Sequence, residues 1–121
     1  MSILAYITDL FFQAKVGQSA QSAGVDLKIV SSLYKFLPAL ASKPSLILLD
    51  LNADGISASS LIAQIRARDP EVRIVAYGSH VQRELLERAR QAGADEILHR
   101  AQLSKDLPAL LTRLSDQQGS T

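Results

Sequence analysis

Leu46-Ile47-Leu48-Leu49-Asp50 is a run of four branched aliphatic residues closed by an acid. A strand buried on both faces is apolar at every position, so the run predicts an interior strand of a parallel sheet. Open α/β domains place their chemistry at the carboxyl ends of such strands, where Asp50 stands. Taken alone, a strand-end aspartate serves equally well as the cap of a turn or of the next helix. The rest of the chain has to separate the two readings.

On the N-terminal side, Lys43-Pro44-Ser45 is a turn, and Ile3 to Ile7 and Leu27 to Val30 read as two more strands. Between them Leu10 to Ala23 reads as a helix closed by Gly24, with Phe11, Phe12, Val16 and Ala20 spaced over a buried face. Phe11 and Phe12 are adjacent and cannot both enter one core. One packs, and the other faces the crevice rim or a partner. Residues 32–42 are helical in part, and Pro38, most comfortable in a first turn, predicts a start near Leu37.

On the C-terminal side, Asn52-Ala53-Asp54-Gly55 is a loop, and Ser57 or Ser59 caps a helix carrying Leu61, Ile62 and Ile65. Asp69-Pro70-Glu71 breaks that helix. Val72 to Tyr77 is a fourth strand ending in Gly78-Ser79-His80, and Val81 to Ala92 is a helix stopped by Gly93. Leu85, Leu86 and Ala89 form its apolar face, and Glu84 and Arg88 pair on the wet one. Glu96-Ile97-Leu98 is a fifth strand, and Ser104 opens a last helix with Leu107, Leu110, Leu111 and Leu114.

Five strands alternating with five helices predict a doubly wound α/β domain, its five-stranded parallel sheet covered on both faces. Right-handed crossovers leave few topologies, of which 2-1-3-4-5 is common. That order gathers Thr8, Asp9, Asp50, Gly78, Ser79, His99 and Arg100 around one crevice. The 121 residues fit one domain, read as 1–115, with 116–121 a polar tail and no room for an attached output domain.

Composition narrows the chemistry. The chain is 47% apolar with three Phe, three Tyr and no Trp, so its core is aliphatic. Thirteen basic and twelve acidic residues leave a net charge of +1 with no basic cluster, which gives no footing for a nucleic acid. Absence of cysteine removes disulfides, thiolate metal sites and cysteine nucleophiles. No signal-peptide core and no apolar stretch of membrane-spanning length is present, so a cytoplasmic protein is expected. His80 and His99 lack the partners of a metal site and read as structural.

Asp9 and Asp50 facing one crevice repel unless a cation or basic side chain lies between them. Magnesium takes oxygen ligands and keeps several waters, so Asp9, Asp50 and the backbone carbonyl of Asn52 are a sufficient donor set. An aspartate also attacks a phosphoryl group when cations hold the developing charge. Arg100 supplies a cation and Ser79 a hydrogen-bond donor.

Four stretches carry a resemblance over nearly the whole chain: Ile3-Leu4-Ala5-Tyr6-Ile7-Thr8-Asp9, Leu48-Leu49-Asp50-Leu51-Asn52, Val75-Ala76-Tyr77-Gly78-Ser79-His80, and Ala92-Gly93-Ala94-Asp95-Glu96-Ile97-Leu98-His99-Arg100. The chain resembles the receiver domain of two-component response regulators, which has the flavodoxin-like fold. In that family an aspartate ending the third strand receives a phosphoryl group from a histidine kinase, which implies Asp50 here. The family's magnesium-binding acidic pair falls on Thr8 and Asp9, so one acid is missing. Its switch hydroxyl falls on Gly78, with only Ser79 adjacent. Its lysine falls on Arg100, the following proline on Ala101, and its inward-turning aromatic on Ile97.

These departures have physical weight. Arginine is a planar fork that prefers bidentate partners, so it does not simply replace a lysine. Arg100 bridging Asp9 and Asp50 would hold the crevice closed without metal. The resemblance therefore implies an atypical receiver, a pseudo-receiver that acts through protein contacts with little or no phosphorylation. Its alternative is a phosphorylatable receiver that uses Asp50 and magnesium. No enzyme is expected, since a general acid or base and a phosphate-cradling glycine loop are both missing. Expected partners are a signalling protein, such as a histidine kinase or output protein, or a second copy. The family's docking face falls on Arg83, Glu84, Glu87, Arg88, Arg90, Lys105, Asp106 and Arg113.

Overall fold

Leu46–Asp50 is a strand buried at all five positions, and it lies in the middle of a five-stranded sheet. The computed structural model describes residues 2–53, 57–79 and 82–119, with side chains through Arg113. The strands are β1 Ser2–Tyr6, β2 Asp26–Val30, β3 Leu46–Asp50, β4 Arg73–Gly78 and β5 Glu96–His99. The helices are α1 Leu10–Ala23, α2 Leu33–Ala39, α3 Ala58–Arg68, α4 Arg83–Ala92 and α5 Arg100–Gly119, and a 3-10 turn, Leu40–Ser42, follows α2. The sheet order is β2-β1-β3-β4-β5, parallel throughout. This is the expected doubly wound, flavodoxin-like arrangement.

Alternation along the strands divides the core into two layers. Leu4, Tyr6, Ile47, Leu49, Ile74 and Ala76 pack under α2, α3 and α4. Ile3, Ala5, Ile7, Leu48, Val75 and Tyr77 pack under α1 and α5. Each fully buried aliphatic side chain contributes about 1.5–3 kcal/mol of burial free energy. The sheet is therefore a rigid base for whatever its carboxyl edge carries.

Three helix starts differ from the sequence reading: the fourth helix begins at Arg83 rather than Val81, with Gln82 as its N-cap, and two others shift further. The second helix begins at Leu33, capped by Ser32, whose side chain accepts from the Lys35 amide at 3.3 Å. Pro38 stands near its end, where the missing N–H forfeits one bond and helps end the helix within a turn. The last helix begins at Arg100, four residues before Ser104. With Ala101 where the family usually has proline, the chain turns from β5 into helix without a break. Pro108 is accommodated inside α5. The helix runs on to Gly119, through much of the stretch read as a tail. Asp54, Gly55, His80 and Val81 lie outside the described residues, as does the Leu114 side chain.

At the amino end of the sheet, Arg66 ties α3 to its neighbours. It donates to the carbonyls of Gly93 (2.9 Å), Pro70 (3.2 Å) and Val72 (2.5 Å), and pairs with Asp95 at 2.7 Å. Gly93 has φ +122°, and a Cβ there would stand 3.0 Å from Arg66 Cγ. The positive φ favours glycine at this position, and a side chain there would also press on Arg66.

Candidate functional site

Asp50 is the only charged residue among the described ones to be buried, at 4% exposure. The chain leaves β3 in a tight turn: the Leu51 amide donates to Tyr77 O at 2.9 Å and the Ala53 amide to Asp50 O at 3.2 Å. Asp50 Oδ1 accepts from the Asn52 amide at 2.9 Å. The aspartate thus caps its own turn from its position at the strand end.

Asp9 lies across the crevice as the N-cap of α1. Its Oδ1 accepts from the amides of Phe11 (2.9 Å) and Phe12 (3.2 Å), as capping requires. Its Oδ2 pairs with Arg100 Nη2. The Phe12 amide holds its carboxyl below the usual carboxylate range. Partial burial opposes that shift, and the Arg100 charge and Phe11 amide reinforce it.

Arg100, opening α5, has its guanidinium carbon 5.2 Å from the centroid of the Phe12 ring. Phe12 in turn packs against Tyr77, with centroids 5.0 Å apart. Of the bridge expected from Arg100 to both acids, the arm to Asp9 is present. Tyr77, fully buried beside Asp50 in the register of β3 and β4, has a hydroxyl with no hydrogen-bond partner among the described residues. Burial, and then the Asp50 charge, push its phenol well above the ordinary value.

Gly78 ends β4 where the family carries its switch hydroxyl. A Cβ there would stand 3.2 Å from Leu86 Cδ2 and 3.5 Å from both Asn52 Oδ1 and Leu51 Cβ. Asn52 Nδ2 reaches past Gly78 to donate to Gln82 Oε1 at 2.5 Å, joining the β3 turn to the start of α4. Ser79 follows, half-buried, and its carbonyl accepts from the Gln82 amide at 3.1 Å. With Phe12, His99 and Arg100 it lines a hollow of about 480 Å³ beside the crevice. Ile97 packs, partly buried, against the core.

The oxygen donors available to a magnesium ion are Asp50, Asp9 and the Asn52 carbonyl. Asp9 Oδ1 accepts two amides and Oδ2 pairs with Arg100, so a magnesium ion there would have to compete with the Arg100 charge for Oδ2. The sequence reading missed three members of the site: Phe12 as the seat of Arg100, Gln82 as the partner of Asn52, and Tyr77. Their contacts link distant segments, and Phe12 and Gln82 stand in none of the stretches that carry the resemblance.

Two surfaces complete the picture. On the expected docking face, Glu87 pairs with Arg90 at 2.7 Å, Glu84 with Arg88 at 3.8 Å, and Glu96 with both Arg73 (2.9 Å) and Arg113 (3.0 Å). On the first turn of α1, Phe12 packs inward while Leu10 and Phe11 are 76% and 91% exposed at the crevice rim.

The family of response regulator receiver domains matches residues 9–112. Among solved structures, the chain is similar to the receiver domain of a DNA-binding response regulator from Colwellia psychrerythraea. That match has a TM-score of 0.84 and 19% identity, covering 96% of this chain and 98% of the other. A receiver domain from Bermanella marisrubri superposes with a TM-score of 0.80 at 21% identity, covering 95% of each chain. A chemotaxis response regulator of Vibrio cholerae gives a TM-score of 0.77 at 18% identity, covering 93% of this chain and 97% of the other. Comparison with curated proteins found no significant match.

Proposed function

This chain belongs to the response regulator receiver domain family, and we propose that it is an atypical member, signalling through protein contacts with little or no phosphorylation of Asp50. The observation that carries this reading is the engagement of Asp9. Both of its oxygens are held, one by the α1 cap and the other by Arg100. A receiver uses that acid for magnesium and its basic side chain for the phosphoryl oxygens. Here each satisfies the other. Thr8 brings no second carboxylate, and Gly78 brings no hydroxyl.

In this reading magnesium is not required, and Asp50 serves as a buried structural charge with no turnover chemistry. Contact with a signalling partner, such as a histidine kinase or an output protein, falls to the surface. The exposed pair Leu10 and Phe11 supports such a role, because adjacent large apolar side chains at this exposure favour a covering partner. No helix among the described residues is long and apolar enough to cross a membrane. A cytoplasmic location is part of the proposal.

The test is intact-mass measurement after incubation with magnesium and a small phosphoryl donor, beside an ordinary receiver as positive control. The expected spectrum is that of unmodified protein under conditions that modify the control. A phosphoryl adduct in the wild type that is lost in Asp50→Asn would establish the phosphorylatable alternative.

A further inference from the structure

The five helices do not cover the sheet evenly. Helices α1 and α5 pack on each other, as do α3 and α4, whereas α2 and the turn after it pack less closely on α3, from which Arg68 Nη1 reaches across to donate to Leu37 O at 3.4 Å. The gap lies at the end of the sheet opposite Asp50 and forms a cleft of about 630 Å³. That volume lies within the range of small-molecule sites, roughly 300–1,000 Å³. Its floor is aliphatic, with Leu40 from the 3-10 turn, Ile47 from β3, Ile65 from α3, and Val72 before β4.

Three of the chain's four prolines, Pro38, Pro44 and Pro70, line this one cleft. Proline fixes its own backbone and removes an N–H donor, so the walls are stiff and largely apolar before anything binds. Such preorganisation lowers the ordering cost of a ligand.

The rim is cationic. Lys43, in the left-handed conformation at φ 53°, and Arg68, at the end of α3, are both exposed there. Asp69 is the acid that lines the same cleft, and its Oδ1 accepts from the amides of Glu71 (3.0 Å) and Val72 (3.1 Å). That carboxylate organises the turn into β4. Two cations thus stand over an aliphatic floor, which complements a molecule with an apolar body and one anionic end.

We propose that this cleft binds a small apolar carboxylate, its chain on the Leu40, Ile47 and Ile65 floor and its head group between Lys43 and Arg68. The site is separate from the Asp50 crevice and does not depend on whether Asp50 accepts phosphate.

Decanoate and its uncharged counterpart decanol, each titrated into the ¹⁵N-labelled full chain, provide the test. The expected result is saturable binding with amide shifts centred on Leu40, Ile65 and Val72, decanoate binding at least tenfold more tightly than decanol. Lys43→Asn combined with Arg68→Gln removes that preference and leaves decanol binding in place; asparagine tolerates the left-handed backbone. Leu40→Trp, which fills the cleft, removes binding of both probes while amide dispersion shows the fold intact. The proposal is overturned by absent or scattered shifts, by equal binding of the two probes, or by a preference that survives the charge-removing pair. A ligand-free dimer protecting the same amides would assign the cleft to a second copy and also overturn it.

Discussion

Replacing Tyr77 with phenylalanine should make the protein more stable, although it deletes a polar group at the centre of the site. The Tyr77 ring is fully buried and packs on Phe12, and its hydroxyl has no hydrogen-bond partner among the described residues. A buried polar group without a partner costs about 1–3 kcal/mol, because the unfolded chain keeps that group hydrated. Tyr77→Phe keeps the ring and its contacts, so a gain of about 1–2 kcal/mol is expected at pH 7. For a chain of this size that is about 4 °C of Tm for each kcal/mol. The gain should also grow in alkali. Burial first, and then the Asp50 charge, raise the Tyr77 phenol, so the folded protein keeps a proton that the unfolded chain releases near pH 10. The wild type then loses about 1.4 kcal/mol per pH unit above that point, a loss the variant lacks from this residue. Urea unfolding followed by circular dichroism at pH 7 and pH 10.5 reads both effects. A variant less stable than wild type, with the same difference at both pH values, would refute the reasoning.

Arg66→Met removes donors from the carbonyls of Gly93, Pro70 and Val72 together with the pair to Asp95. A loss of about 2–4 kcal/mol is expected in the same urea experiment; a loss within error of zero would show that water replaces the side chain. Glu96 is the acid to probe below neutrality. Burial opposes its ionisation, but Arg73 and Arg113 outweigh burial and leave its carboxyl below the ordinary value. Its stabilising contribution is therefore present above about pH 4.3 and lost as pH falls through the folded value. In Glu96→Gln the acid limb of the stability curve should flatten, and an unchanged limb would remove Glu96 from the account. Thr8→Asp combined with Arg100→Lys rebuilds the acidic pair and replaces the arginine fork by a point charge. This double variant should take up a phosphoryl adduct from a small donor more readily than wild type, as read by intact mass; no difference would locate the defect elsewhere, at Gly78 first.

The architecture was legible because β3 is apolar from Leu46 to Leu49 and the helices repeat their buried residues every third or fourth place. Proline misled the reading of α2, since Pro38 ends that helix where a first-turn position was expected. At α5 the missing proline at position 101 mattered more than the serine at 104, and the helix starts at Arg100. Asp9, Asp50 and Arg100 could be assembled from strand order alone, because the topology brings strand ends to one edge. The pairing of Asn52 with Gln82 could not. It joins residues 30 apart in the chain, a packing outcome with no signature in local composition. The cation seat on Phe12 was hidden for a similar reason: adjacent phenylalanines show that one is buried, but not what sits on its ring.

In the proposed reading, Arg100 and the α1 cap keep Asp9 from assembling a phosphoryl site with Asp50. Amide spectra of the ¹⁵N-labelled chain, recorded with excess magnesium and then with added beryllofluoride as a phosphoryl mimic, test it most directly. The amides of Asn52, Ser79 and Arg100 should keep a single set of peaks through both additions. A second, slowly exchanging set at those residues, replacing the first as beryllofluoride is added and absent in Asp50→Asn, would contradict it.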